Sequence, residues 1–477
     1  MISVSLKSAD LLRVALRARL PFKYGIVTMV EVPHVFLRLQ VETPAGLAEG
    51  LVADHLPPKW FTKDPTRDIP SELEDLMAVI RHAVTAAAAI PATDPFHFWI
   101  ELKSRQAEWG RRHQHPPLLA QFGTSLVERA MLDAIATGLR TTVTHLVREE
   151  RLGIDLGAVH PELRSLRASS LLPARPASSI ICRHTVGMLD PLTDADIAAG
   201  ARVDDGLPQS LEASIKAYGL FHFKLKVDGN QPDAALERLR AIFAVLTRQA
   251  DRRMAFTIDG NESFASAESF RAFWEKVEAD PTLRDVLPRL LFVEQPMARA
   301  VALNPGLGDL SGWSKRPPII IDESDAEPED LRRALDLGYV GTSHKNCKGV
   351  FKGIAHASLI RHRSVGRSAP LLHSGEDLSN IGPVAVQQDL AAQAMLGIES
   401  VERNGHHYFP GLSLWPAAIQ ETALTAHPDL YQRSTAGWPT LRITSGRIST
   451  ESVLAAPFGL GARLPLETIP GEWSRLA

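Results

Sequence analysis

Phe221-His222-Phe223-Lys224-Leu225-Lys226-Val227 is a short β-prone run ending in paired lysines, and the pattern it opens recurs along the chain. Asp259-Gly260-Asn261, Glu294-Gln295-Pro296, Asp322-Glu323 and Lys345 each close a similar apolar run. From Lys226 the successive steps to Asp259, Glu294, Asp322 and Lys345 are 33, 35, 28 and 23 residues, about the length of one strand plus one helix. That rhythm predicts a parallel (β/α) barrel of TIM type, in which all strands end on one face and residues distant in sequence meet there. Eight β-prone runs are available, at 180–186, 221–227, 255–258, 290–293, 319–321, 339–343, 371–373 and 400–403. Helices are expected between them over 232–249, 266–279, 328–337 and 349–361.

Ahead of the repeat, residues 1–170 read as an α+β capping unit. Val35-Phe36-Leu37-Arg38-Leu39-Gln40-Val41 alternates as a strand does; 71–89 has helical spacing with Ser71 as its N-cap, and a second helix is expected over 125–149. A Ser-, Ala- and Pro-rich stretch at 166–177 marks the linker, so the barrel is placed at 171–415 and a β-rich segment returning to the cap at 416–477.

Composition fits a large globular enzyme. The chain has 477 residues, 45% hydrophobic and 22% charged, with a net charge of -3, and a pI near 6.6. No sustained basic surface for nucleic acid or anionic membrane is expected. The basic run Arg361-His362-Arg363 is assigned to a solvated helix end. Two cysteines, Cys182 and Cys347, make no disulfide framework, the start lacks a secretion-signal pattern and no apolar stretch spans a bilayer, so a cytoplasmic location is expected.

Three carboxylates in register at strand ends suit a hard divalent cation, which prefers oxygen ligands in octahedral geometry. Asp259, Glu294 and Asp322 are the expected ligands of Mg2+, with Mn2+ as a substitute, and Asn261 and Glu323 stand beside the ligands or replace one of them. Lys224 and Lys226 are two apart on a strand and face the same way, into the barrel mouth. Desolvation and cationic neighbours are expected to lower a lysine pKa there and make it a general base. The metal would stabilise the enediolate left when a proton leaves the carbon next to a carboxylate.

The ordered series Lys224-Leu225-Lys226, Asp259-Gly260-Asn261, Val293-Glu294-Gln295-Pro296, Ile321-Asp322-Glu323-Ser324 and Lys345-Asn346-Cys347-Lys348-Gly349 resembles the enolase superfamily, in its mandelate racemase and muconate lactonizing enzyme branch. Pro21-Phe22-Lys23-Tyr24-Gly25, Leu126 to Asp133 and Gly446 with Gly459-Leu460-Gly461 extend the likeness to the cap and tail. The resemblance implies Mg2+ at Asp259, Glu294 and Asp322, Lys226 as an acid/base, Lys224 holding the substrate carboxylate, and Lys345 as the second acid/base on the opposite face. His373 occupies a seventh-strand end and stands as an alternative proton relay. Cap loops with Phe22, Lys23, Tyr24, His55 and Trp60 are expected to line the substrate pocket together with Glu376. The implied reaction is racemisation, epimerisation or cycloisomerisation of a small carboxylate; dehydration of an acid sugar and a silent binding barrel are the alternatives. A homo-oligomer is expected.

Overall fold

Three long antiparallel strands build the N-terminal unit: β1 (Ser5–Tyr24), β2 (Val27–Thr43) and β3 (Gly46–His55). The computed structural model describes residues 2–249, 251–304 and 310–477. Along β2 the expected alternation holds at Leu37, Leu39 and Val41, which are buried, with Arg38 and Gln40 between them partly exposed. Nearer the barrel, Phe36 is buried as well, because Trp415 meets its ring edge-on at 5.4 Å.

Three helices cover one face of this sheet: α1 (Ile69–Ala88), α2 (Pro95–Arg112) and α3 (Pro117–Gly138). The cap of α1 is Asp68, not Ser71: the Asp68 carboxylate accepts from the Ser71 amide at 2.7 Å, as an N-cap side chain does. Most of the stretch at 99–117 lies in α2, with Trp99, Leu102 and Gln106 buried. The single helix expected over 125–149 starts earlier and breaks: α3 ends at Gly138, Arg140 turns left-handed at φ 51°, and Thr142 caps a separate helix, Val143–Arg148. Ile135, Leu139 and Val143 keep a helical spacing of four across that turn, so periodicity alone hides it. α3 lies so close to β3 that a Cβ at Gly50 would come within 1.9 Å of the Ala130 carbonyl oxygen.

The eight expected runs all form strands: β4 (Ser179–Val186), β5 (His222–Lys226), β6 (Ala255–Asp259), β7 (Leu290–Glu294), β8 (Ile319–Ile321), β9 (Gly341–His344), β10 (Leu372–Gly375) and β11 (Ser400–Arg403). Each pairs in parallel with the next, and β11 closes on β4. The tail adds a small pair, β12 (Tyr431–Arg433) with β13 (Pro439–Leu441). It then gives β14 (Arg447–Ser449), antiparallel on β4, and β15 (Ser474–Arg475), antiparallel on β1. Among the described residues no helix is long and apolar enough to cross a membrane.

Glu128 of α3 ties cap to barrel. Its Oε1 accepts from the Phe351 amide at 2.5 Å, at the start of the helix Val350–Ser364. A helix N-terminus favours a carboxylate, yet burial outweighs it and pushes the Glu128 pKa up to about 8 from 4.5. The folded chain therefore binds this proton more tightly than the unfolded chain; the resulting stability is complete below pH 4.5 and lost as the pH rises through about 8. Glu128→Gln, which keeps an acceptor and cannot ionise, should lose less stability than the native chain between pH 5 and pH 9. Thermal melts across that range check this, and parallel pH curves would contradict it.

Candidate active site

Barrel register sets the first row of the site. Lys226 on β5 is paired with Asp259 on β6, and Asp259 with Glu294 on β7. Phe223 and Leu225 are buried on the opposite face of β5 from Lys224 and Lys226, so both lysines enter the mouth, as alternation requires.

The charged groups alternate in sign across that mouth. Lys226 Nζ donates to Asp259 Oδ2 at 2.6 Å, and Lys224 Nζ lies 3.0 Å from the same oxygen. Lys224 Nζ also reaches Glu294 at 2.9 Å, Glu376 at 2.9 Å and Glu402 at 2.8 Å. Glu376 Oε2 accepts in addition from Lys345 at 2.6 Å, Lys345 continues to Asp322 Oδ2 at 2.6 Å, and Lys348 reaches Asp322 Oδ1 at 2.8 Å. The line runs Lys226, Asp259, Lys224, Glu376, Lys345, Asp322, Lys348. The roof is aromatic: Phe22, Tyr24 and Trp60 close over it, with the Lys345 ammonium 5.3 Å from the Trp60 ring centre. The space left between floor and roof is about 40 Å³.

Burial disfavours every one of these charges, and the neighbours decide the outcome. For Lys224, burial is outweighed by Asp259, Glu294, Glu376 and Glu402, and its ammonium is held well above the ordinary lysine range. Burial is likewise overcome for Lys345 by Asp322 and Glu376, and for Lys226 by Asp259. The lowering expected for a buried lysine is thus reversed in this arrangement, because each ammonium touches at least one carboxylate. Burial together with Glu376 pushes Glu294 well above the carboxylate range, while Lys224 and Lys345 hold Glu376 well below it against burial.

Residues 207–424, from ahead of β5 to beyond β11, match the family model described as enolase C-terminal domain-like. The barrel is similar to that family. Solved structures extend the likeness to the cap. A mandelate racemase/muconate lactonizing protein from Herpetosiphon aurantiacus superposes with a TM-score of 0.59 at 16% identity, over 96% of this chain and 98% of that one. Muconate lactonizing enzyme from Mucobacterium Smegmatis, complexed with muconolactone, gives 0.57 at 18% identity over 97% and 98%. Dipeptide epimerase from Enterococcus faecalis, complexed with Mg and L-Leu-L-Tyr, gives 0.60 at 14% over 96% and 99%. No curated protein matches the sequence.

The enolase-like barrel brings Lys224, Lys226, Asp259, Asn261, Asp322, Lys345 and Glu376 to one cavity, with Phe22, Tyr24 and Trp60 above it. Glu294 joins the same group through Lys224 at 2.9 Å and Glu323 adjoins Asp322, while three others lie elsewhere. Lys23 falls between Phe22 and Tyr24 on β1, and strand alternation turns it away from the cavity. The Phe22–Tyr24 segment is the end of that strand, not a loop. His55 is buried between cap and barrel, its Nδ1 at 3.2 Å from the Leu378 carbonyl oxygen, and burial pulls its pKa down to about 4. His373 fails as a relay for the same reason as Lys23. Ser374 and Glu376 face inward toward Arg183, whereas His373 lines a hollow with Ala357 and Ile360 on the outer wall of the barrel.

The oxygens of Glu294, Asp322 and Glu376 lie within 4.8 Å of one another, a grouping that includes Glu376 in place of the expected Asp259. Asp259 is held aside by Lys226 and by Asn261, whose side-chain Nδ2 donates to it at 3.1 Å and whose backbone N–H donates at 2.7 Å. Glu323 stands beside Asp322, and burial with the charge of Asp322 raises its pKa to about 8. An all-oxygen donor set with an excess of carboxylates fits a hard divalent cation. Glu402 and Lys348 were not singled out from the sequence. Glu402 sits inside the eighth run, and its inward parity with Thr185, which donates to it at 2.5 Å, was the available signal.

Removing one partner of a buried charge pair costs about 3–5 kcal/mol. Lys224→Met should lower stability by about that amount in chelator-treated buffer. Urea denaturation measures it, and an unshifted midpoint would mean that the four carboxylates do not need this ammonium.

Proposed function

We propose that this chain moves the proton on the carbon next to a small substrate's carboxylate, with racemisation or epimerisation as the net reaction. It would use one divalent cation, Mg2+ or in its place Mn2+. One observation carries the reading. Lys226 ends β5 and Lys345 follows β9, four strands apart in an eight-stranded ring, so their ammonium groups stand on opposite sides of the carboxylate group.

Asp259, Glu294 and Asp322 are the proposed ligands, with Glu376 adjoining. A cation held there would supply positive charge that stabilises an anion developing on the substrate and would share Asp259 with Lys226 and Asp322 with Lys345. The lysines do the proton work. One starts neutral and takes the proton at Nζ from its face; the other starts as an ammonium and delivers a proton from the opposite face, and the opposite stereoisomer uses the reversed states. Lys224, held among Glu294, Glu376 and Glu402, presents positive charge to the substrate carboxylate. The roof of Phe22, Tyr24 and Trp60 excludes water from the reacting carbon. Cycloisomerisation starts from the same abstraction. Dehydration has less support, since His373, one of its two candidate acids, faces away from the cavity. A silent scaffold would have no use for so many buried charges.

In D2O with Mg2+, Lys345→Ala should abolish inversion yet keep α-deuterium exchange for the stereoisomer whose proton faces Lys226. Lys226→Ala should give the mirror result. A panel of N-acyl amino acids, dipeptides and acid sugars followed by NMR checks this, and loss of both exchanges in either variant would rule out the two-base reading. Glu294→Gln should weaken Mg2+ binding in calorimetry with the circular dichroism unchanged; undiminished affinity would remove Glu294 from the ligand set.

A further inference from the structure

Beyond the carboxylates, the loops after β6 and β7 each contribute one more charged side chain that the proton chemistry does not use. Glu262 follows Asp259 by three residues and Arg299 follows Glu294 by five. They form a two-pronged pair, Arg299 Nε to Glu262 Oε1 at 2.7 Å and Nη2 to Oε2 at 2.8 Å, and the Arg299 amide adds a third bond to Oε1 at 2.8 Å. Glu262 is buried, its side chain 2% exposed. A bidentate pair with a buried carboxylate fixes a guanidinium in one orientation. The remaining donors of this one point into the cap: Nη1 to the Phe61 carbonyl oxygen at 2.7 Å and Nη2 to that of Trp60 at 2.9 Å. Lys63, from the same cap segment, returns to Glu262 at 3.3 Å and to the Asn261 carbonyl oxygen.

We propose that Arg299 is a positioning residue that, clamped by Glu262, grips the main chain at Trp60 and Phe61 and so keeps the Trp60 ring over Lys345. Its role in catalysis rests on the reading of Lys345 as a proton carrier; its role as a latch does not. The Trp60 ring meets the ammonium of Lys345, whereas Lys226, four strands away, is held by Asp259 of the neighbouring strand. Releasing the grip therefore opens one face of the reaction, and the consequence is asymmetric.

Amide hydrogen exchange read by mass spectrometry tests the latch without substrate. In Arg299→Ala, amides of residues 58–64 should exchange about tenfold faster, the effect of losing charge-assisted hydrogen bonds, while those of β5, β6 and β7 keep their native rates. Arg299→Lys, which retains the charge but not the fork, should recover part of the protection and serves if the alanine variant does not fold. In D2O, Arg299→Ala should slow α-deuterium exchange on the Lys345 face and spare the Lys226 face. Trp60→Ala should reproduce that asymmetry, and the double variant should go no further than Trp60→Ala alone. Native exchange rates over 58–64 in the folded variants would overturn the proposal, as would an equal loss on both faces or independent, multiplying effects of Arg299 and Trp60. If no carboxylate in the panel exchanges with the native protein while the amide result holds, the latch stands and the reading of Lys345 falls.

Discussion

Alternation of sign among buried charges is the constraint on which the rest of this molecule depends. Ammonium and carboxylate groups taken from water lose several kcal/mol each unless contacts of opposite charge replace their hydration. Here no group in the line from Lys226 to Lys348 has a like-charged nearest neighbour, and its members come from β5, β6, the β8 end, the β9 loop and the β10 end. Such a line assembles only when the barrel is closed in the correct register, because a one-residue slip of any strand would turn its charge outward. Closure of the ring and completion of the site are one event.

The barrel was legible because its signals are short-range and repeated. Strand runs of apolar and β-branched residues survive at every position, and a parallel strand buried on both faces leaves little else that it can be. Parity was legible where two charged residues share a strand, as at Lys224 and Lys226. It misled where a single residue was read by position alone. His373 stands near the right strand end, but whether it faces in or out turns on its distance from Glu376, which is odd. Lys23 fails by the same count against Phe22 and Tyr24. Glu402 was overlooked because its run ends in Glu402-Arg403-Asn404, and nothing local says which of three polar residues turns inward. The lysine pKa values could not be read at all, since they depend on contacts among strands.

Cap and barrel are joined in two different ways. On one side the join is deep. Gln388 of the barrel donates to the Leu51 carbonyl oxygen of β3 at 2.7 Å and Glu128 of α3 accepts from the Phe351 amide at 2.5 Å, flanked by buried ion pairs within each unit, Arg129 with Asp54 at 2.8 Å in the cap and Arg403 with Asp377 at 2.6 Å in the barrel. On the other side, around Trp60, the crossing side chains of Lys63 and Arg299 are partly exposed. Local opening concentrates where buried contacts are sparse, so the roof can yield along the Trp60 edge while the α3 edge stays fixed.

The grip on that edge is made to peptide carbonyls. Arg299 holds Trp60 and Phe61 by their backbone oxygens, and the Tyr24 hydroxyl donates to the Pro58 carbonyl oxygen at 2.9 Å. Every residue type offers that acceptor. Side chains along the segment are then free to be exchanged without undoing the attachment, and the molecule can change what it selects while keeping how it shuts.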